Sequence, residues 1–146
     1  MGRQEALYDA LLQATNQFHR AVLALSGGRL MSTIGGMQAV ELHTTGRNSG
    51  KRRSVMLTAP VYEPNRVVLV ASKGGDDRDP EWYRNLVANP DVELAVNGKI
   101  RPMRARTATD DERAELWPRI IRAYRGYDAY QRRTDRSIPV VIVEPR

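Results

Sequence analysis

The run Gly46-Arg47-Asn48-Ser49-Gly50-Lys51-Arg52-Arg53, reached through Thr44-Thr45, packs four cations, two glycines and a hydroxyl between two apolar stretches, with no acidic residue to compete. These residue types at this density suit a polyanion. Both glycines permit positive φ or close backbone approach, the N–H groups of such a turn form an anion-binding concavity, and guanidinium forks match phosphate and carboxylate oxygens in pairs. A solvated surface hairpin accounts for the charge equally well. A second glycine turn, Ser72-Lys73-Gly74-Gly75, leaves a later apolar run, and antiparallel neighbours would bring Lys73 into the same pocket. Trp82 could wall that pocket with a flat apolar surface or simply pack in the core.

Other chemistries are missing from the sequence. Gly46 to Lys51 lacks Walker A spacing, no G-x-G-x-x-G occurs, and Ser49 sits in no G-x-S-x-G elbow. His19 and His43 are the only histidines and read as structural, because a zinc site draws on three or four protein ligands. Asp76, Asp77 and Asp79 could hold magnesium, but three carboxylates beside a helix start are more simply solvated; no metal is expected. Without cysteine the chain has no disulfide, thiolate ligand or thiol nucleophile, which suits a cytoplasmic setting and leaves redox work to a borrowed cofactor.

The elements that must position these residues are legible in outline. The 146 residues fit one domain, 1–146. Residues 1–30 form an N-terminal segment, helical and amphipathic from Glu5 to Leu25 through Leu7, Leu11, Phe18, Val22 and Leu25. Its apolar face covers the core, with peripheral contact to a membrane surface as the second reading. Acidic Glu5 and Asp9 argue against a secretion signal. Ala39 to Thr44, Ser54 to Tyr62 and Arg66 to Ala71 read as three strands in a meander, with Glu63-Pro64-Asn65 as a turn. Asp79-Pro80 reads as the N-cap and first-turn proline of a helix ending near Asn89-Pro90. Val92 to Val96 and Ile100 to Arg106 flank Asn97-Gly98, a type I′ hairpin signal. Thr109 and Glu112 make a capping box, and Pro118 should kink or restart the helix that follows. Ile138 to Val143 is the last strand. About six mostly antiparallel strands with helices give an α+β barrel.

A formal charge of +6 and a pI near 10.1 favour anionic partners. Arg101, Arg104 and Arg106 along one strand admit a nucleic-acid or acidic-lipid binder as an alternative, but no aromatic alternates with them to stack a base. Nucleic acid is not expected as a partner.

The chain resembles the deazaflavin-dependent nitroreductase family, the A-type branch of the split β-barrel oxidoreductases that use coenzyme F-420. The resemblance runs from about Gly36 to Pro145. It is carried by Thr44 to Arg53, Ala71 to Gly75, Pro80 to Pro90, Arg113 to Pro118 and Tyr127 to Pro139, in that order. It implies a split barrel of the FMN-binding type. It also implies that Arg47, Asn48, Ser49, Gly50, Lys51 and Arg53 meet the coenzyme's phosphate and glutamate tail. Met56, Ser72, Lys73, Gly74, Trp82 and Asn85 would border the deazaflavin ring, and Tyr127 and Tyr130, the catalytic candidates, the substrate side. The reaction implied is hydride transfer from the reduced deazaflavin to an electron-poor small molecule such as a quinone, activated alkene or nitroaromatic. A flavin mononucleotide enzyme is the alternative within the same architecture. The chain departs from the family at Arg52 and Met56, where proline is frequent, near Thr58, where an aromatic is frequent, and at Asn48, where lysine is. Lys51 and Arg52 are expected to restore the positive field lost at Asn48.

Overall fold

A computed structural model describes residues 33–146; the expected N-terminal helix lies outside them. Strands β1 (Thr33–Ile34), β2 (Met37–Thr45), β3 (Arg52–Ala59), β4 (Val61–Glu63), β5 (Arg66–Val70), β6 (Asp91–Val96), β7 (Lys99–Thr107) and β8 (Val140–Pro145) form one antiparallel sheet. Helices α1 (Glu81–Ala88), α2 (Asp110–Ala123) and α3 (Gly126–Arg132) complete the fold. None of the helices among the described residues is long and apolar enough to cross a membrane.

Along the sheet the neighbours run β2, β6, β7, β8, β5, β4, with β3 on the other side of β2. The expected meander is therefore corrected. β3 pairs with β2 over Gln38↔Ala59 to Thr45↔Arg52, whereas β5 pairs with β4 and β8. Pro60 is the physical reason: it has no N–H to give a ladder, so the single strand expected from Ser54 to Tyr62 breaks in two. β3 and β4 lie at opposite ends of the sheet yet are joined through this one residue, so the sheet curls into a half-closed barrel.

Burial follows from that curl. Val67 and Leu69 of β5, with Val141 and Val143 of β8, face a barrel interior filled by Val40, Leu42, Leu94 and Met103. Val68 and Val70, with Val140 and Ile142, face the opposite way against Leu116, Ile120 and Tyr127 of the helices. Strands covered on both faces need continuous apolar runs in place of alternation, which explains Val67-Val68-Leu69-Val70.

Local signals hold with two exceptions. Asn97 and Gly98 take φ 50° and 81°, as a type I′ turn requires. Asp79 does not cap α1; Pro80 occupies that position, and the Asp79 carboxylate pairs with Arg136 at 3.0 Å. α2 runs unbroken through Pro118. Pro118 and Ala114 both lie on the exposed side, where the carbonyl deprived of its helical donor can be hydrated.

The capping box is present: the Glu112 N–H donates to Thr109 Oγ1 (3.2 Å) and the Thr109 N–H to Glu112 Oε1 (2.9 Å). Arg106 adds bonds of 2.7 and 2.9 Å to the same carboxylate. Those Arg106 bonds first, and the Thr109 N–H second, take the Glu112 carboxyl from an ordinary 4.5 down to about 2. A carboxyl depressed in the folded state stabilises it above the unfolded pKa and loses that effect as pH falls through the folded one. Glu112→Gln should therefore be less stable than the parent at neutral pH in urea unfolding, with the gap closing between about 4.5 and about 2. A gap independent of pH would contradict this.

Candidate active site

β3 has one edge on β2, and among the described strands nothing pairs with its other edge. A cleft of about 1210 Å³ opens along that edge, walled by Arg53 to Thr58 of β3 and by Leu69, Val70 and Ser72 to Gly74 at the end of β5. The β2–β3 turn closes one end and the tyrosines of α3 the other.

The turn is built by its backbone. Gly46 N–H donates to the Lys51 carbonyl (2.8 Å), Gly50 N–H to the Gly46 carbonyl (2.9 Å), and Lys51 N–H to Ser49 Oγ (3.1 Å). A Cβ on Gly46 would stand 2.6 Å from Ser49 Oγ, so the hydroxyl occupies space that only glycine leaves. Arg47, Asn48, Ser49 and Arg53 line the cleft, whereas Gly50 and Lys51 are outside its wall. Arg47 is fixed by Asn85, whose Oδ1 accepts from the Arg47 N–H (3.2 Å) and Nη1 (2.9 Å). Its Nη2 meets Glu81 Oε2 at 2.8 Å. Arg53 has no ion pair to a described carboxylate. Arg52 points away, donating to His43 Nδ1 (3.1 Å) and pairing with Glu93 (2.9 Å), so it does not make good the charge missing at Asn48. His43 also meets Glu41 at 2.9 Å, outside the cleft wall, in keeping with a structural role.

The second turn carries Ser72, Lys73 and Gly74 into the wall, with Lys73 and Gly74 at φ 46° and 64°. Arg136 holds it in place, donating to the carbonyls of Ala71 (3.2 Å), Ser72 (3.0 Å) and Asp76 (2.8 Å). Thr134 adds a bond to Asp77 (2.7 Å), and Arg78 binds Asp76, holding that carboxyl below its usual range. Each of the three aspartates is thus engaged by a side chain. Among the described residues no group of three or more metal-binding side chains gathers.

Met56, Trp82 and Asn85 also line the cleft. Trp82 serves both of its readings at once, since it is buried in the barrel core as well. Asn85 braces Arg47 from this wall. At the far end Tyr127 is buried, with its hydroxyl 3.9 Å from Met37 Sδ. Burial raises its pKa, with a Thr58 hydrogen bond opposing. Tyr130 shares a 3.2 Å hydroxyl contact with Tyr124, whose ring stands edge-on to Tyr127 at 5.2 Å. Tyr124, Glu81 and Arg133 are wall residues that sequence reasoning did not select. Tyr124 had a signal in its spacing from Tyr127; the other two became visible only once α1 and α3 were placed.

A curled antiparallel sheet with a glycine-rich basic turn at one end of an interior cleft has the split-barrel form of the flavin and deazaflavin oxidoreductases. The family described as F420H(2)-dependent quinone reductase matches residues 15–145, and the chain belongs to it. Rv3178 of Mycobacterium tuberculosis, provisionally named for the same activity, is 45% identical over 100 residues, covering 68% of this chain and 83% of that protein. The F420H(2)-dependent quinone reductase Rv1261c of the same organism is 38% identical over 135 residues, 89% of each chain. A solved F420-H2 dependent reductase, FDR-A, superposes with a TM-score of 0.66 at 45% identity, covering 73% of this chain and 93% of that one. The cofactor is coenzyme F-420 and the protein an oxidoreductase. The three strand arginines of the nucleic-acid alternative are engaged within the chain: Arg101 donates to the Pro64 carbonyl (2.9 Å), Arg104 pairs with Asp91 (3.5 Å), and Arg106 is held by Glu112 and Glu144.

The tyrosine helix rests directly on the second turn. Gly75 sits at φ 85°, and a Cβ there would meet the Tyr130 carbonyl at 2.8 Å and Cα at 3.0 Å, backbone atoms that cannot swing aside. Gly75→Ala should lower unfolding free energy by about 1 to 3 kcal/mol in denaturant titration. A loss under about 0.5 kcal/mol would show that α3 is not seated there.

Proposed function

We propose that reduced coenzyme F-420 lies in this cleft with its phosphate and glutamates against Arg47, Asn48, Ser49 and Arg53, and that a quinone accepts hydride on the tyrosine side. The carrying observation is Arg47, braced on a buried asparagine so that its guanidinium stays beside the turn. The residues suit the group in two further respects. The open edge of β3 offers backbone N–H and C=O groups to a planar heterocycle with amide-like edges, and the Gly46 turn leaves N–H groups and cations for an acidic tail.

When bound, the coenzyme supplies the hydride. The protein's share is binding, orientation and exclusion of water. Arg47 and Arg53 provide charge-assisted hydrogen bonds, each worth about 1.5 to 3 kcal/mol. Holding acceptor and donor in near-attack geometry can lower the barrier by roughly 7 to 11 kcal/mol. Met56, Trp82 and Leu69 keep the cleft floor apolar. The Tyr127 hydroxyl, with its pKa raised by burial, stays protonated at neutral pH. Beside its Thr58 contact, the hydroxyl donates to a thioether, a weak acceptor that a quinone carbonyl would displace. It therefore donates a hydrogen bond to the oxygen on which charge develops.

Arg53→Ala should weaken coenzyme binding by about 1.5 to 3 kcal/mol in a fluorescence titration while leaving turnover at saturating coenzyme little changed. Undiminished affinity would take Arg53 out of the tail site. Tyr127→Phe should leave coenzyme affinity intact and reduce turnover or quinone affinity; a fall in coenzyme affinity alone would place Tyr127 on the wrong side of the ring.

A further inference from the structure

Arg47 is held at two unlike places. On one side Asn85, 6% exposed and carried by α1, accepts from both its backbone N–H and its Nη1. On the other, Nη2 is matched by Glu81, one turn earlier on the same helix, whose side chain is 69% exposed against 26% for Arg47. Glu81 is also a wall residue of the cleft. A carboxylate at 2.8 Å from the guanidinium that Asn85 anchors has the same chemistry as the glutamates the site is meant to receive.

We infer that Glu81 is an internal counter-ion for Arg47, exchanged for the phosphate or a carboxylate of the incoming acidic tail, and that it sets how tightly the tail is held. The inference rests on the tail placement proposed above. The Asn85 anchor is buried and neutral, so it keeps Arg47 aimed throughout the exchange. The Glu81 contact is solvated, loosely shared with Arg84 at 3.8 Å, and cheap to release. Once displaced, Glu81 still lies at the rim as a like charge to the tail, which lowers affinity and favours coenzyme release. Asn85 is thus a positioning residue and Glu81 a specificity residue for charged tails.

The test is fluorescence titration of the full chain and its Glu81→Gln variant with coenzyme F-420 and with the same deazaflavin lacking phosphate and glutamates. Expected is an affinity gain of about two- to fivefold for F-420, the scale of one exposed ion pair, no change for the tail-free compound, and loss of the gain in an Arg47→Ala background. Weaker F-420 binding by Glu81→Gln would overturn the inference, showing that Glu81 orients Arg47. An equal gain for both ligands, or a gain that persists without Arg47, would overturn it as well. Unaltered F-420 affinity in Glu81→Gln, with the parent still preferring F-420 over the tail-free form, sinks the exchange alone. A parent without that preference sinks the tail placement itself.

Discussion

One proline makes a cleft out of a sheet. With no N–H to donate, Pro60 ends the ladder that β3 shares with β2 and lets the chain turn into β4 at the far end of the sheet. The two ends are then tied covalently at one corner and free to part elsewhere. Where they part, β3 presents an unpaired backbone edge beside the last residues of β5, and both glycine turns arrive at the same opening. An uninterrupted meander would have satisfied that edge and left no room.

Charge is distributed to match. The chain carries a formal excess of +6, yet Arg52, Arg66, Arg78, Arg104, Arg106 and Arg136 all have carboxylate partners. Exposed pairs of this kind contribute about 0 to 1 kcal/mol each. Each pair cancels charge locally, whereas at the cleft Arg53 has no ion pair to a described carboxylate and Arg47 is matched by the exposed Glu81. Arg113 works differently: half-buried over Trp117, with its pKa lowered by burial, it donates to Gln131 (2.8 Å) and the Ile138 carbonyl (3.1 Å). Gln131 in turn accepts from the Ile138 N–H (2.9 Å) and donates to the Arg136 carbonyl (2.8 Å). The residue that clamps the second turn is thereby connected to the helix that carries the tyrosines.

Much of this was legible in the chain because its signals are local. Asn97-Gly98, the Thr109–Glu112 box and the apolar runs of β5 and β8 state their conformation within a few residues. The basic turn and the glycines after β5 were readable for the same reason; their convergence on one pocket was expected from neighbouring strands in a meander and comes instead from the curl that sets β3 beside the end of β5. What escaped was set by partners distant in sequence. Asp79 has the chemistry of a cap, but Arg136, 57 residues on, claims its carboxylate. Arg52 has the chemistry of a tail ligand, but Glu93 and His43 across the sheet draw it to the other side. Asn85 lines the cleft as expected of a ring neighbour, but its bond to Arg47, 38 residues away, shows only once the helix is docked.

A structure of the protein with reduced coenzyme F-420 bound addresses the account at its centre. The phosphate and first glutamates should lie against residues 46–53 with Arg47 still on Asn85, and the ring along β3 with its reactive carbon toward Tyr127. Density showing that turn bare, or the ring outside the β3 edge, would contradict it.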